Sequence, residues 1–266
     1  MSMSGRQEKI LRSAKQVGRV EVEDLVEQYR VSAQTIRKDL NVLTERGLLS
    51  RTHGGAEVSS GVENLEYEAR KLIAASEKAA IGRATADLIP AQSSLFINIG
   101  TTTEAVAHWL GEKAGLMAIT NNINVATLLR PYGDIEVVIA GGVVRPSDGG
   151  IVGEAAVDFI GQFRVDYAII GASAIDADGT LLDFDYREVR VTQAIIRNAR
   201  QVVLVSDSSK FTRSAPVRIG HLSQINTFVT DRAPDAIVGV CREHDVALIQ
   251  TGDDPVEDER ILASSL

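Results

Sequence analysis

The chain has 266 residues, 44% of them hydrophobic, which predicts one large folded domain or two unequal ones. No apolar run reaches the roughly 18 residues of a membrane-spanning helix, and residues 1–9 lack the apolar stretch of a signal peptide. Cys241 is the only cysteine, which excludes an intrachain disulfide, and the four histidines lack metal-ligand spacing. We therefore expect a cytoplasmic protein that uses no membrane, metal or cofactor.

The net charge of −8 is unevenly distributed along the chain. Residues 1–58 hold 10 Lys and Arg against 8 Asp and Glu, whereas residues 59–266 hold 18 against 28. The N-terminal part is therefore about +2 and the remainder about −10. A mildly basic segment attached to an acidic body is typical of a protein that contacts DNA at one end only.

The first elements in chain order are three helices and a hairpin. Apolar residues recur at helical spacing in three segments, residues 6–17, 22–29 and 33–46. Ser32 is a typical N-cap for the third helix, and Gly47 ends it. Two short strands are expected at residues 48–51 and 56–58. Between them, Gly54 and Gly55 supply the positive φ angles that a tight hairpin needs.

The third predicted helix has an apolar face and a polar face. Ile36, Leu40 and Leu43 fall within about 60° of one another at about 100° per residue, so we expect them to be buried. The opposite side carries Arg, Lys, Asn and Gln, which contact guanine, adenine or phosphates in a major groove. The predicted DNA-binding residues of this helix and its cap are Ser32, Gln34, Thr35, Arg37, Lys38 and Asn41.

The hairpin adds Arg51 and His53, which we expect to contact the adjacent DNA backbone or minor groove. The alternative for the helix taken alone is a solvated polar face without function. The preceding helix, the short turn, the serine cap and the Gly-Gly hairpin together favour a winged helix-turn-helix over residues 6–58.

The rest of the chain begins with a predicted linker, residues 59–75, of which residues 59–64 are polar. One continuous helix is expected over residues 65–89, where Pro90 closes it. Apolar β-branched runs predict strands at residues 95–99, 117–120, 135–140, 167–170, 202–205, 228–229 and 247–249. Helices are predicted between them at residues 102–110, 123–129, 155–163 and 187–199. This alternation predicts an α/β fold class, with a mostly parallel, twisted sheet covered on both faces over residues 76–266.

The segment after the first of these strands indicates an anion site. Gly100 precedes three hydroxyl residues, Thr101, Thr102 and Thr103, at a predicted helix start. Free N–H groups and the positive end of a helix attract an anion, and small residues let it approach closely. We therefore predict a phosphate here, although no Gly-Lys-Ser/Thr follows and the segment is not a Walker motif. The alternative is that Thr102 only caps the helix.

Polar or glycine-rich segments also follow other predicted strands. Ligands bind at the carboxyl ends of parallel strands, so we expect these segments to converge on one crevice. The residues predicted there are Asn121, Asn122, Gly141, Gly142 and Lys210. Lys210 is expected to add a positive charge for the phosphate, and an exposed loop lysine is the alternative.

Three carboxylates are candidates for holding the hydroxyl groups of a sugar or polyol. They are Glu154, which follows a glycine-rich run, and the neighbouring pair Asp185 and Glu188, close to Asp183. The alternative is that Asp185 caps a helix and that the others form surface ion pairs. The residues alone therefore predict a binding site for a small phosphorylated polyol.

Residues 6–58 resemble the helix-turn-helix of the DeoR family of bacterial regulators. The resemblance is carried by Ser-x-x-Thr-Ile-Arg-x-Asp-Leu at residues 32–40 and by His-Gly-Gly at residues 53–55. Ala33 stands where the family often has proline, and alanine also suits that position. The resemblance implies a repressor that binds palindromic operators in double-stranded DNA as a homodimer or homotetramer.

The larger part resembles the sensor domain of the same family, which is similar in fold to ribose-5-phosphate isomerase. Gly-Thr-Thr at residues 100–102, Asp-Gly-Gly-Ile-Val-Gly-Glu-Ala at residues 148–155 and the run at residues 184–190 carry this resemblance. Within the family, these segments match best the members that respond to glycerol 3-phosphate. The resemblance thus implies glycerol 3-phosphate as the effector and genes of glycerol metabolism as the target, with another sugar phosphate as the alternative.

An active sugar-phosphate isomerase with an added DNA-binding domain is the competing class. The related isomerases carry Asp-Gly-Ala-Asp where this chain has Ile-Gly-Ala-Ser at residues 170–173. Thr192 and Asp183 stand near the positions of their catalytic glutamate and lysine. Since Ile170 does not ionise and Thr192 is a poor base near neutral pH, the comparison predicts binding without turnover and no catalytic residues.

Overall fold

The computed structural model describes residues 3–17, 19–52, 54–58 and 67–252. These residues form two compact units, one ending at Ile73 and the other beginning at Ala74. No helix among them is long and apolar enough to cross a membrane.

The N-terminal unit is a helical bundle with a small antiparallel sheet. Its helices are α1 (Gly5–Val17), α2 (Val22–Tyr29), α3 (Ala33–Glu45) and α4 (Tyr67–Leu72). Its strands are β1 (Arg19–Glu21), β2 (Leu49–Arg51) and β3 (Gly55–Val58), in the order β1-β3-β2. The three predicted helices and the hairpin are confirmed, while β1 was not predicted.

The two glycines of the hairpin have different roles. Gly54 has a φ of 100°, the left-handed region that glycine tolerates best. Gly55 faces β1 so closely that a β-carbon on it would lie 2.0 Å from the carbonyl oxygen of Val20. The expectation that both glycines supply positive φ was therefore wrong for Gly55, which is required by the close approach of a third strand.

The continuous helix expected over residues 65–89 was also wrong. The structure has α4 and then α5 (Ala75–Leu88), separated by Ile73 and Ala74, and residues 65–66 lie outside the described residues. Ala74 has a φ of 53°, which interrupts helical geometry, and Ile73 is buried. Neither glycine nor proline marks this break, and the apolar periodicity of the sequence continues across it. The sequence therefore predicted one helix where the structure has two.

The larger unit is built on a parallel sheet of seven strands. Its strands are β4 (Ser94–Ile97), β5 (Leu116–Thr120), β6 (Ile135–Ile139), β7 (Val143–Val144), β8 (Ile151–Val152), β9 (Val165–Ile170), β10 (Ala174–Ile175), β11 (Thr180–Asp183), β12 (Ala199–Val205), β13 (Val217–His221), β14 (Thr227–Thr230) and β15 (Ala247–Gln250). The seven parallel strands lie in the order β15-β14-β12-β9-β4-β5-β6. The predicted parallel sheet is confirmed.

Helices cover both faces of this sheet. Besides α5 they are α6 (Thr101–Leu110), α7 (Ile123–Leu129), α8 (Glu154–Ile160), α9 (Tyr186–Arg197) and α10 (Asp235–Glu243). Leu95 and Ile97 of β4 pack into the apolar cluster that contains side chains of α5, α6 and α7. Phe96, which points to the other face, belongs to the cluster with α8, α9 and α10. Both faces of the central strand are therefore buried, as its uninterrupted apolar run predicted.

Several short elements were not predicted. They are the hairpin β7–β8, the antiparallel sheet β10-β11-β13, helix α10 and the 3-10 helices Ser208–Thr212 and Leu222–Gln224. Strands of two residues carry too little periodicity to be recognised. The hairpin follows the carboxyl end of β6, so the sequence did not indicate that another element lies at the edge where ligands bind in parallel sheets.

Candidate functional site

The structure places the predicted groove-reading side chains of α3 on its surface. Gln34, Arg37, Lys38 and Asn41 are exposed, whereas the predicted apolar stripe of Ile36, Leu40 and Leu43 is fully buried. This division leaves two cations and two amides free to approach a polyanionic groove, as direct base readout requires.

Ser32 and Thr35 act at the start of α3. The Oγ of Ser32 accepts a hydrogen bond from the backbone N–H of Thr35 at 3.2 Å and lies 2.9 Å from the Thr35 Oγ1. Ser32 is thus the N-cap that the sequence predicted, and both hydroxyls are already engaged in capping. Arg51 is exposed at the end of β2, and His53 lies outside the described residues.

A buried ion pair that sequence reasoning missed connects α1 to α3. Asp39 is 5% exposed, and it accepts hydrogen bonds from Arg6 Nε at 2.5 Å and Gln7 Nε2 at 3.0 Å. In the sequence Asp39 follows Lys38 in a polar run, and residue type alone did not show that Asp39 is buried while Lys38 is exposed. The ion pair attaches the buried side of α3 to α1, while the polar face with Gln34, Arg37, Lys38 and Asn41 remains exposed.

In the larger unit, the N-terminus of α6 lies directly after β4. Gly100 is its N-cap, with a φ of 148°, and no side chain caps the helix. This finding contradicts the alternative in which Thr102 is the cap. The first N–H groups of a helix lack intrahelical acceptors, so an uncapped N-terminus at the carboxyl end of a central strand suits an anion.

The three threonines of this segment differ in availability. Thr103 is fully buried, and its Oγ1 lies 2.7 Å from the carbonyl oxygens of both Asn98 and Gly100, to which it donates. The hydroxyl of Thr103 therefore stabilises the turn, and the contact of this residue with a ligand stays a prediction. Thr101 is half-buried and Thr102 is 6% exposed, and both lie in the first turn of α6 directly after Gly100.

The loops after β4, β9 and β12 lie side by side. A β-carbon on Gly171, just after β9, would lie 3.8 Å from the carbonyl oxygen of Val205 and 4.0 Å from that of Ile99. The segment that carries Lys210 and the segment that begins α6 therefore meet at one edge of the sheet, as the parallel topology predicted.

The charges of two lysines act on Asp207 at this edge. It is fully buried, its Oδ1 accepts from Ser209 N at 3.1 Å, and its Oδ2 has no hydrogen-bond donor among the described residues. Burial opposes ionisation of Asp207, but the charges of Lys210 and Lys78 hold its pKa below its usual value. Lys78, on α5 and only 4% exposed, was missed because a helical lysine is normally solvent-exposed.

Asn121 and Asn122, which follow β5, are fully buried. Asn122 donates to Glu104 Oε1 at 2.9 Å, and its Oδ1 accepts from Asn124 N, which caps α7. Asn121 donates to the carbonyl oxygen of Ile151 at 3.1 Å, and its own Oδ1 has no donor among the residues described. Both asparagines therefore connect α6 and α7 to strand β8.

Gly141 and Gly142, which follow β6, are exposed and begin the β7–β8 hairpin. Gly142 has a φ of 150°, and a β-carbon on it would lie 3.0 Å from Cγ2 of Ile151. These contacts give Gly142 a part in hairpin geometry.

Arg145, which the sequence analysis did not select, joins this hairpin to α9. Its guanidinium binds Asp148 in a bidentate manner, with Nε 2.8 Å from Oδ1 and Nη2 2.7 Å from Oδ2. The same group lies 2.5 Å from Glu188 Oε2 and 3.2 Å from Asp185 Oδ2. Arg145 therefore brings together two predicted carboxylates, and it was missed because it precedes the motif at residues 148–155 without belonging to it.

The hairpin is also tied to α6. Asn124 donates through Nδ2 to the backbone oxygen of Asp148 at 3.0 Å and to Glu104 Oε1 at 3.0 Å. A continuous set of hydrogen bonds thus runs from the first turn of α6, through Asn124 and Asp148, to Arg145 and the start of α9. The loops after β5 and β6 thus meet beside the start of α6, and a ligand crevice between them stays a prediction.

Burial and charge perturb the groups around Arg145. Burial by itself lowers the pKa of Arg145, but hydrogen bonding to Asp148 and the charges of Glu188 and Asp148 raise it above its ordinary value. Burial, and then the charge of nearby Asp183, raises the pKa of Glu188 to about 8, against the opposing charge of Arg145. Because acids outnumber cations here, Glu188 is the carboxylate that retains its proton near neutral pH.

Asp185 and Glu154 have different surroundings. Asp185 caps α9 by accepting a hydrogen bond from the backbone N–H of Arg187 at 2.9 Å, which is the capping role that the sequence indicated as the alternative. It also pairs with Arg145 and so belongs to the group of carboxylates around that arginine. Glu154 has an 81% exposed side chain and pairs at 3.2 Å with the exposed Arg190. This is the surface ion pair that the sequence indicated as the alternative, and contact of Glu154 with a ligand stays a prediction.

The positions compared with the isomerases are occupied by structural side chains. Ile170 is fully buried in the core, and Thr192 donates to the carbonyl oxygen of Glu188 at 3.1 Å. Thr192 also accepts from Asn98 Nδ2 at 2.8 Å, and Asp183 accepts from Ser173 at 3.0 Å. The hydroxyl of Thr192 is thus engaged in the fold.

Comparison with known proteins identifies both units. A family model of the DeoR-like helix-turn-helix domain matches residues 6–62, and a family model of the DeoR C-terminal sensor domain matches residues 73–232. The chain is 47% identical to the glycerol-3-phosphate regulon repressor of Escherichia coli (strain K12), over 93% of this chain and 99% of that protein. It is 49% identical to the repressor of the same name from Haemophilus influenzae, over 94% and 97%.

Among solved structures, about half of this chain is similar to ribose 5-phosphate isomerase A from Neisseria gonorrhoeae. The match has 17% identity and a TM-score of 0.37, and it covers 51% of this chain and 53% of that one. This similarity is too distant to bear on activity.

Proposed function

Because this chain belongs to the DeoR family of regulators, we propose that it is a transcriptional repressor of genes for glycerol and glycerol 3-phosphate metabolism. The observation that carries the proposal is that one chain combines an exposed DNA-reading face on α3 with an anion-ready crevice in a sensor domain. The two relatives described above, both repressors of the glycerol-3-phosphate regulon, supply the identity of the regulated genes.

The DNA-binding step uses the polar face of α3 in the major groove. Arg37 and Lys38 supply charges for guanine or phosphates, and Gln34 and Asn41 supply amides for adenine. Arg51 contacts the flanking backbone from the hairpin. A two-fold symmetric dimer or tetramer of this chain would place two such helices on half-sites about one helical turn, or a multiple of it, apart.

The effector is glycerol 3-phosphate, with its phosphate at the N-terminus of α6. Gly100, Thr101 and Thr102 leave the helix dipole and backbone N–H groups available there. Lys210 and Lys78, whose charges act on Asp207, supply positive charge from the adjacent edge. The glycerol hydroxyls point toward the asparagines and carboxylates on the other side of β4.

The protein acts as a regulator that binds this molecule without converting it. Proton abstraction from a sugar phosphate needs a positioned base, and the buried Thr192 occupies the position compared with the catalytic glutamate of the isomerases. Its relatives are transcriptional repressors. The alternative effector is another sugar phosphate, which the same crevice would accommodate.

Release of the operator requires that the effector bind the DNA-incompetent arrangement more tightly. A ten-fold loss of operator affinity corresponds to about 1.4 kcal/mol of coupling between the two sites. The segment through α4 and α5 connects the units and carries Lys78, so it is the route by which effector binding reaches the winged helix.

The test is an operator-binding titration with the full chain. An operator selected from a pool of random duplexes is bound in the presence of increasing glycerol 3-phosphate, ribose 5-phosphate or fructose 6-phosphate. We expect glycerol 3-phosphate to release the operator and glycerol or inorganic phosphate to have little effect. Release by a different sugar phosphate alone would contradict the effector, and failure to bind any duplex would contradict the repressor.

A further inference from the structure

One side of the crevice is dominated by hydrogen-bond acceptors and negative charge. Its linked carboxylates are Glu104, Asp148, Asp183, Asp185 and Glu188. Arg145, which is largely buried, pairs with Asp148, Asp185 and Glu188, and Arg187, which is half-exposed, binds Asp185 at 2.9 Å. Even with Glu188 protonated, the four other carboxylates carry more charge than these two arginines offset.

Two buried amide oxygens add to this excess of acceptors. The Oδ1 atoms of Asn98 and Asn121 have no hydrogen-bond donor in the part of the chain that the structure describes. Asn98 is 1% exposed and Asn121 is fully buried, and they follow the adjacent strands β4 and β5. A buried acceptor without a donor is unfavourable, and a hydroxyl group from a ligand would satisfy it.

Arg145 is not available to balance a further anion. Its Nε and Nη2 are occupied by both oxygens of Asp148, Nη2 also contacts Glu188, and Nη1 contacts Asp185. A ligand carboxylate at this place would have to displace one of these partners. Displacing Asp148 would take this cation away from a buried carboxylate, which is strongly unfavourable.

We propose that this acidic side of the crevice makes the sensor selective for phosphorylated polyols and excludes phosphorylated carboxylic acids of the same size. The inference deepens the proposed function and rests on it. A neutral hydroxyl donates to Glu188, Asp185 or the free amide oxygens. A carboxylate in its place brings no donor and adds a like charge to a buried, low-dielectric site.

The experiment compares two ligands that share a phosphate and a three-carbon chain, glycerol 3-phosphate and 3-phosphoglycerate. Isothermal titration of the full chain at pH 7.5 gives a dissociation constant for each. We expect 3-phosphoglycerate to bind at least about 10-fold more weakly, because like-charge repulsion at a partly buried site is large.

Charge-removing variants test which residues create this selectivity. Asp185→Asn keeps an N-cap oxygen for α9 but removes a charge, and Asp183→Asn removes a second charge while keeping an oxygen that accepts from the backbone N–H of Phe184. Either variant should narrow the ratio of the two dissociation constants by about 3-fold or more. The matched control is Asp158→Asn, which changes an exposed residue of α8 outside the crevice and should leave the ratio unchanged.

The outcomes separate this inference from the proposed function. If wild-type protein binds neither ligand, the proposed effector is wrong. If it binds glycerol 3-phosphate and 3-phosphoglycerate equally well, the effector stands and the selectivity is overturned. If selectivity persists undiminished in both variants while they remain folded by circular dichroism, the assignment to the acidic side is overturned.

Discussion

Gly82 of α5 packs directly against the backbone of α6, so that a β-carbon on Gly82 would lie 2.6 Å from the carbonyl oxygen of Ala105. Gly82 is buried, and backbone does not move aside as a flexible side chain does. The spacing of these two helices, one carrying Lys78 and the other the anion-ready N-terminus, is therefore set by the absence of a side chain at one position.

We predict that Gly82→Ala destabilises the sensor unit by about 1–3 kcal/mol, because α5 and α6 must separate to admit the methyl group. Chemical denaturation of the full chain, followed by the fluorescence of Trp109 on α6, measures the change. Gly239→Ala is the matched control: a β-carbon at this position of α10 would have no neighbouring atom within 4 Å, and the substitution should stabilise by about 0.5–1 kcal/mol. Equal effects of both substitutions would refute the packing argument.

The Asp39 ion pair predicts a weak point of the winged helix. Asp39→Ala removes the acceptor of both Arg6 and Gln7 and should lower the stability of this unit by about 1–3 kcal/mol. Hydrogen exchange of amides in α1 and α3 reports the loss, and amides of the sensor sheet should be unaffected. Glu27→Ala, at an exposed position of α2, should leave exchange unchanged. A similar effect from that control would show that the pair contributes nothing specific.

Recognition by α3 is tested by Arg37→Ala. Loss of one bidentate base contact is worth about 1–3 kcal/mol, so operator affinity should fall roughly 10- to 100-fold. The affinity for glycerol 3-phosphate should stay as in the wild type. Arg12→Ala removes the same charge from an exposed position of α1 and should change operator affinity far less. Undiminished operator binding by Arg37→Ala would remove α3 as the recognition helix.

Glu188 predicts that stability decreases as pH rises. In the unfolded chain its pKa is near the ordinary value of 4.5, whereas in the folded protein it is about 8. Between these values the unfolded state releases a proton that the folded state retains, so the free energy of unfolding falls as pH increases through this window. Above about pH 8 both states are ionised and this contribution is constant.

The measurement is the melting temperature of the full chain between about pH 5.5 and 8.5, compared with that of Glu188→Gln. The variant cannot ionise at this position, and its melting temperature should decline less steeply with pH. A difference of even one pKa unit corresponds to about 1.4 kcal/mol, which is readily measured. Parallel profiles for the two proteins would show that Glu188 titrates normally in the folded state.

Local chemistry sufficed to predict the winged helix and most of the sheet. Ser32 caps α3 because its hydroxyl reaches an N–H three residues away, and Ile36, Leu40 and Leu43 are buried because helical periodicity aligns them. The strand at Leu95 was recognisable because its whole run is apolar, as both faces of a central parallel strand require. These features depend on residues that are close in sequence.

The crevice could be predicted only in part, because many of its contacts join residues that are distant in sequence. The phosphate-ready start of α6 is a local motif, but Thr103 bonds to backbone oxygens that no motif reveals. Glu154 and Glu188 are both acidic residues at helix starts. Only the packing of the β7–β8 hairpin against α9 leaves one exposed and buries the other beside Arg145.

The amino-acid sequence by itself determined the two domains, the reading face of α3 and the place where an anion is expected to bind. The tertiary structure decided which polar side chains remain free for ligands and which stabilise the fold. Arg145 and Lys78 illustrate the division, because Arg145 binds Glu188, 43 residues away in the chain, and Lys78 acts on Asp207 of another segment. The charge and hydrogen bonding of such groups depend on spatial neighbours, and neighbours distant in sequence are brought together only by folding.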